Sequence, residues 1–240
     1  MRYRITVSYD GAGFCGWQSQ PSGRSVQDAL ENAVFRLSGE RTHVVGSGRT
    51  DAGVHAIAQV AHFELSRVYD NKTIVGALNA HLPRSVRVTD CRRADGGFDA
   101  RKSAKRKTYM YLMYRGERSP LLDGRAVAVG NADCESMRRI AEDIVGTHDF
   151  TTFMAHGSGA KNAVRTVYSV RFEDDGKFIK MFITANGFLY NMVRIIAALM
   201  IKAGHGEPVD IEALLAARDR TAAKDTAPPY GLYLYDVEYE

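Results

Sequence analysis

The chain has 240 residues, 45% of them apolar, and its 32 Lys and Arg against 28 Asp and Glu leave a formal charge of +4. That length and apolar content suffice for one large domain or two small ones with real cores, and they exclude a disordered chain. The isoelectric point of about 8.9 is compatible with an anionic partner but too mild to demand one.

Residues 2–9 alternate Tyr3, Ile5, Val7 and Tyr9 with polar residues, the period of a half-buried strand. After a loop carrying Pro21 and Gly23, Ser25 opens a helix with Asp28 three residues on. Val26, Ala29, Leu30, Ala33, Val34 and Leu37 then recur at helical spacing until Gly39 ends it. Strands follow at 42–46 and 57–65, a helix at 71–81 stopped by Pro83, and a strand at 85–93. The order is β-α-β-β-α-β. A basic connector, 95–106, leads into a second set: a strand at 107–114 and a helix at 133–145 closed by Gly146. A hairpin joins 165–172 to 178–184 across Asp174-Asp175-Gly176, a long apolar helix covers 190–203, a short one 209–218, and a last strand 233–239.

This grammar predicts an α/β (α+β) fold of two tandem ferredoxin-like, RRM-like βαββαβ halves, with a mostly antiparallel central sheet and a cleft between them. The first half is residues 1–100 and the second 101–240. Residues 121–130 and 148–162 are extra to the ideal unit and are expected as loops over the cleft. Cys15, Cys91 and Cys134 are widely spaced, odd in number and without CxxC or Cys/His metal spacing, and the seven histidines form no HExxH pair. A reducing compartment is expected, and no metal. No apolar run approaches the roughly 18 residues a membrane helix needs, so the expected location is the cytoplasm.

Gly48-Arg49-Thr50-Asp51-Ala52-Gly53-Val54-His55 lies between two expected strands, where Gly46, Gly48 and Gly53 give the backbone freedom. Asp51 is thus presented on a loop, and Arg49 can hold its carboxylate ionised, as suits a nucleophile or electrostatic anchor. A turn capped by its own aspartate is the alternative. Gly11-Ala12-Gly13-Phe14-Cys15-Gly16 is a literal GxGxxG, yet residues 17–23 intervene before the helix, so a glycine-rich connection is expected rather than a dinucleotide site. The cluster Arg101, Lys102, Lys105, Arg106 and Lys107 runs into a strand bearing Tyr109, Tyr111 and Tyr114. Cations beside aromatics suit RNA, whose phosphates they pair and whose unpaired bases they stack. A solvated linker is the plainer reading. Arg194 stands in an otherwise apolar helix and needs an anionic partner, Glu207 and Asp210 being local candidates.

The Asp51 octapeptide resembles the catalytic signature of the TruA family of tRNA pseudouridine synthases. Tyr9-Asp10-Gly11-Ala12-Gly13-Phe14-Cys15-Gly16-Trp17-Gln18 is similar to that family's opening block, and Phe98-Asp99-Ala100-Arg101 to its central one. Lys107-Thr108-Tyr109-Met110-Tyr111 resembles its tyrosine strand. Phe188-Leu189-Tyr190-Asn191-Met192-Val193-Arg194 resembles its arginine helix, and Ala227-Pro228-Pro229-Tyr230-Gly231-Leu232 its closing block. The blocks stand in family order from about residue 3 to the end.

The resemblance implies the pseudouridine synthase fold and a cofactor-free isomerase. Its substrate would be uridine 38, 39 and 40 in the anticodon stem-loop of tRNA, and the protein a homodimer. By the same resemblance Asp51 is the catalytic carboxylate, Arg194 its ion partner, and Tyr109 packs on the uracil and takes or relays its C5 proton. Arg101 holds the flipped nucleotide or fills its place. Phe188 and Leu189 wall the pocket, and Lys102, Lys105 and Lys107 meet phosphates. Asp99, where the family commonly has histidine, and Ile195-Ile196-Ala197 depart from the pattern. Without the resemblance the residues describe a basic two-part α/β protein that could equally be an RNA-binding module with no activity.

Overall fold

The computed structural model describes residues 1–21 and 23–240 and divides into two compact units, Met1–Lys105 with Tyr233–Glu240, and Arg106–Leu232. In the first unit β1 (Arg2–Tyr9), α1 (Val26–Ser38), β2 (Val45–Gly46), β3 (His55–Glu64), α2 (Asn71–His81) and β4 (Val86–Ala94) follow in the expected order. β1 is central, antiparallel to β3 on one side and to β4 on the other. Its alternation buries Tyr3, Ile5, Val7 and Tyr9. α1 starts where its capping box requires: the Asp28 amide donates to Ser25 Oγ at 3.0 Å, whose hydroxyl donates back to the Asp28 carboxylate at 2.6 Å. Gly39, at φ +73°, closes it. α1 and α2 pack on each other and α2 on β4, burying Leu30, Val34, Ile74 and Leu78 at roughly 1.5 to 3 kcal/mol each.

The remaining edge of β3 is shared. β2 pairs antiparallel with Ala61 and His62, and the chain's last strand, Leu232–Glu238, pairs parallel at Tyr233↔His55 and Leu234↔Ala56. The strand expected at 42–46 shrinks to two residues, because the Val44 amide donates to the Glu31 carboxylate at 3.0 Å instead of to a strand. The GxGxxG run forms a short 3-10 turn, Gly11–Gly13, and α1 begins only at Val26. A Cβ on Gly11 would stand 2.0 Å from the Val54 carbonyl oxygen. Glycine there allows two backbone segments to touch and opens no helix for a phosphate.

The second unit contains β5 (Arg106–Tyr114), β6 (Val127–Ala128), α3 (Cys134–Ala141), β7 (Gly146–Asp149), β8 (Val164–Asp174), β9 (Phe178–Ala185), α4 (Met192–Gly204) and α5 (Ile211–Ala217); the last strand is β10. Its sheet runs β5-β9-β8-β7, antiparallel throughout, with β6 parallel to the end of β5. Arg115 clamps the β8–β9 turn through both Asp174 oxygens, at 2.7 and 2.8 Å, and holds that carboxyl well below the usual range. α3 is shorter than the 133–145 expected. Its last turn tightens into a 3-10 helix, Glu142–Ile144, and Gly146, at φ +126°, begins β7 instead of closing a helix. α4 buries Met192, Val193, Ile195, Ile196, Leu199 and Met200, and packs on α3. Among the described residues no helix is long and apolar enough to cross a membrane.

Candidate active site

The Asp51 segment joins β2 to β3, and its shape is set from outside. Gly16 and Asp51 form an isolated antiparallel bridge, and the Trp17 amide donates to the Thr50 carbonyl at 3.0 Å. The Val54 amide donates to the Asp51 carbonyl at 3.1 Å, closing a turn whose third residue, Gly53, has the positive φ (+79°) that a type II turn needs. Beneath it the Tyr9 hydroxyl meets Thr50 Oγ1 at 2.7 Å, both groups buried. Burial pushes the Tyr9 hydroxyl up to about 12, against the opposing pull of its bonds with Thr50 and Gln59. Ser47 donates to Gln59 at 2.7 Å, and Gln59 donates to the Gly48 carbonyl at 2.9 Å. The Trp17 indole lies against Gly46, where a Cβ would come within 2.5 Å of the ring.

Ordering such a loop costs about 1 to 2 kcal/mol per residue, so the presentation of Asp51 depends on these anchors and not on the glycines alone. With Thr50 turned inward, Asp51 stays half-buried and Arg49 is exposed. His55 begins β3 buried, accepting from the Gly11 amide through Nδ1 at 3.0 Å and stacking on Tyr233 at 4.7 Å.

Arg101 and Lys102 stand exposed on a tight turn governed by Asp99. The Asp99 carboxylate accepts from the amides of Arg101 (2.9 Å) and Lys102 (2.8 Å), while its own amide donates to Ser103 Oγ at 3.1 Å. Burial acts to raise its pKa, and the two amides outweigh this and hold it below the usual range. The turn is fixed at Ala100, which donates to His62 Nδ1 (3.0 Å) and accepts from the Tyr239 hydroxyl (2.8 Å). Asp99 thus acts as a local cap for this turn. Lys105 is exposed too, its amide donating to the Glu238 carbonyl at 2.8 Å.

In the second unit Lys107 and Tyr109 lie on β5, opposite Ala185 and Ile183 of β9. Tyr109 is buried to 8% exposure, with the Phe188 ring edge-on at 5.1 Å and 88°. Phe188 and buried Leu189 belong to the connection from β9 to α4. Arg194, one turn into α4, donates from Nε to the Ala227 carbonyl and from Nη1 to Asn191 Oδ1, both at 2.8 Å. Within this unit those groups orient it, not Glu207 or Asp210; Asp210 instead caps α5 through the Ala213 amide. Sequence pattern alone gives Asn191 no role of its own. It is the N-cap of α4 at φ +60°, and it makes no capping bond because its side chain serves Arg194. An asparagine three residues before a helical arginine was the available signal.

The family described as tRNA pseudouridine synthase matches residues 5–100 and 140–240. A tRNA pseudouridine synthase A from Caldicellulosiruptor bescii is 42% identical over 239 residues, covering 98% of each chain. One from Bacillus subtilis is 44% identical over 247 residues with all of both chains covered, and one from Limosilactobacillus reuteri is 43% identical, covering 99% of this chain and 96% of its own. These likenesses run through the Asp51 loop, the Asp99 turn and the Arg194 helix alike, and on them the chain belongs to the tRNA pseudouridine synthase family.

Proposed function

We propose that this isomerase converts uridine to pseudouridine at positions 38, 39 and 40 of the anticodon stem-loop of tRNA, using the Asp51 carboxylate and no cofactor. The observation that supports this most is the bracing of Asp51, a half-buried carboxylate on a turn held by Gly16, Trp17 and Tyr9 from a distant part of the chain. So much structure around one short turn suits a group that must be aimed.

The reaction breaks the N1–C1′ bond, turns the uracil, forms C5–C1′ and releases the C5 proton, while N1 gains one. Asp51 starts it by attack at C6, by attack at C1′ or by removal of the 2′ proton, three routes that share one carboxylate and one product. Arg194 supplies the positive charge that favours the ionised carboxylate. Tyr109 packs on the uracil and takes or relays the C5 proton, and Phe188 and Leu189 enclose the ring. Arg101 holds the flipped nucleotide, while Arg49, Lys102, Lys105 and Lys107 meet phosphates. The working species is a homodimer.

Carbodiimide mapping of unmodified tRNA transcripts treated with the protein tests the site: primer-extension stops at 38, 39 and 40 are expected, and pseudouridine only elsewhere would contradict it. Light scattering tests the assembly, and a fully active monomer at micromolar concentration would remove that part.

A further inference from the structure

Arg165 opens β8 opposite His148 of β7, and it is half-buried. Its Nη1 donates to the carbonyls of Asn162 (3.3 Å) and Val164 (2.6 Å) and to Asn162 Oδ1 (3.2 Å). Among the described residues its Nε and Nη2 make no hydrogen bond and no carboxylate lies within pairing distance. Arg115, Arg138 and Arg171, toward the other end of the same sheet, are each paired with a carboxylate: Asp174, Glu135 and Glu173. Burial lowers the Arg165 pKa, and no carboxylate beside it acts in the other direction.

Its position has meaning. A Cβ on Gly187 would lie 3.8 Å from Arg165 Nε, so the guanidinium rests beside the residue that precedes Phe188. The loop that Arg165 closes starts and ends on this same connection: the Ala155 amide donates to the Tyr190 carbonyl at 3.0 Å, and Thr166 and Asn186 exchange bonds at 3.0 and 3.1 Å. The uncommitted Nε–Nη2 edge is the fork that matches two phosphate oxygens. We infer that Arg165 binds a backbone phosphate of the RNA substrate beside the nucleotide enclosed by Phe188 and Leu189, an inference that rests on the proposed tRNA reaction.

The test is tRNA binding against salt concentration for wild type, Arg165→Ala, Arg165→Gln and Arg171→Ala, with pseudouridine formation followed in parallel. Arg165→Ala should weaken binding about tenfold and make the log–log salt dependence shallower by about one, with turnover at saturating tRNA retained. Arg165→Gln keeps an N–H donor for the loop oxygens but no charge; it should behave as Arg165→Ala if a phosphate is held, and as wild type if Arg165 only staples the loop. The second result overturns the inference, as does an equal loss of slope in Arg171→Ala, whose charge Glu173 already neutralises. A wild type whose slope depends on Arg165 but which forms no pseudouridine would sink the proposed reaction and leave the phosphate contact standing. Pseudouridine formation with a slope indifferent to Arg165 would do the reverse.

Discussion

Gly16 faces Asp51 across a backbone bridge at φ +108°, and a Cβ on it would stand 2.5 Å from the Thr50 carbonyl oxygen. No residue but glycine fits there without moving the carboxylate's own backbone. Gly16→Ala should therefore cost roughly 2 to 3 kcal/mol of stability by thermal unfolding. It should also lower kcat by about a hundredfold, the scale set by displacing a reacting group by an ångström. Gly13→Ala is the contrast: its Cβ meets nothing within 4 Å and its φ is ordinary, so both measurements should stay near wild type.

The Tyr9–Thr50 hydroxyl pair predicts a pH dependence. Burial raises the folded Tyr9 pKa to about 12, so its contribution is fully present below the unfolded tyrosine value near 10 and is lost as pH rises through the folded value. Tyr9→Phe should cost about 1 to 2 kcal/mol at neutral pH by leaving Thr50 without its partner. Its stability should also fall less than that of wild type between pH 9 and pH 11, as read by denaturant unfolding at each pH.

Asn191 separates two roles that a simple alanine change would confuse. Asn191→Gly keeps a residue suited to φ +60° but removes the acceptor for Arg194, whereas Asn191→Asp keeps an acceptor. The glycine variant should lose about tenfold in kcat with KM unchanged, and the aspartate variant should retain more of the activity. Equal activity in both would show that Arg194 does not depend on this contact.

Asp99→Ala removes the acceptor of the Arg101 and Lys102 amides. Loss of such a cap costs about 1 kcal/mol locally, and the cations it presents become less ordered. A several-fold rise in KM for tRNA with little change in melting temperature is expected, measured by steady-state kinetics and calorimetry. Asp99→Asn, which keeps an acceptor, should lie near wild type.

Local structure was legible where its signals are local. The Ser25–Asp28 box and Gly39 marked both ends of α1, the alternation of β1 named its buried face, and Asp174-Asp175-Gly176 marked the β8–β9 turn. What escaped depends on partners far along the chain. Nothing around Tyr233 announces a parallel pairing with His55, and the short β2 follows from a Glu31 side chain capturing the Val44 amide. The site divides the same way. Asp51 was readable as a presented carboxylate because three nearby glycines mark a loop. Its bracing by Tyr9, Gly16, Trp17 and Gln59 was not, since those contacts exist only once β1 and β3 have paired.

Release of tritium from tRNA labelled at uridine C5, with wild type and Asp51→Asn side by side and no added cofactor, tests the central claim most directly. Release by wild type alone, with tRNA affinity equal in both proteins, is the predicted result. Equal release by Asp51→Asn would contradict the role of the carboxylate. No release by a folded wild type that binds tRNA would contradict the proposed reaction and leave an RNA-binding protein in its place.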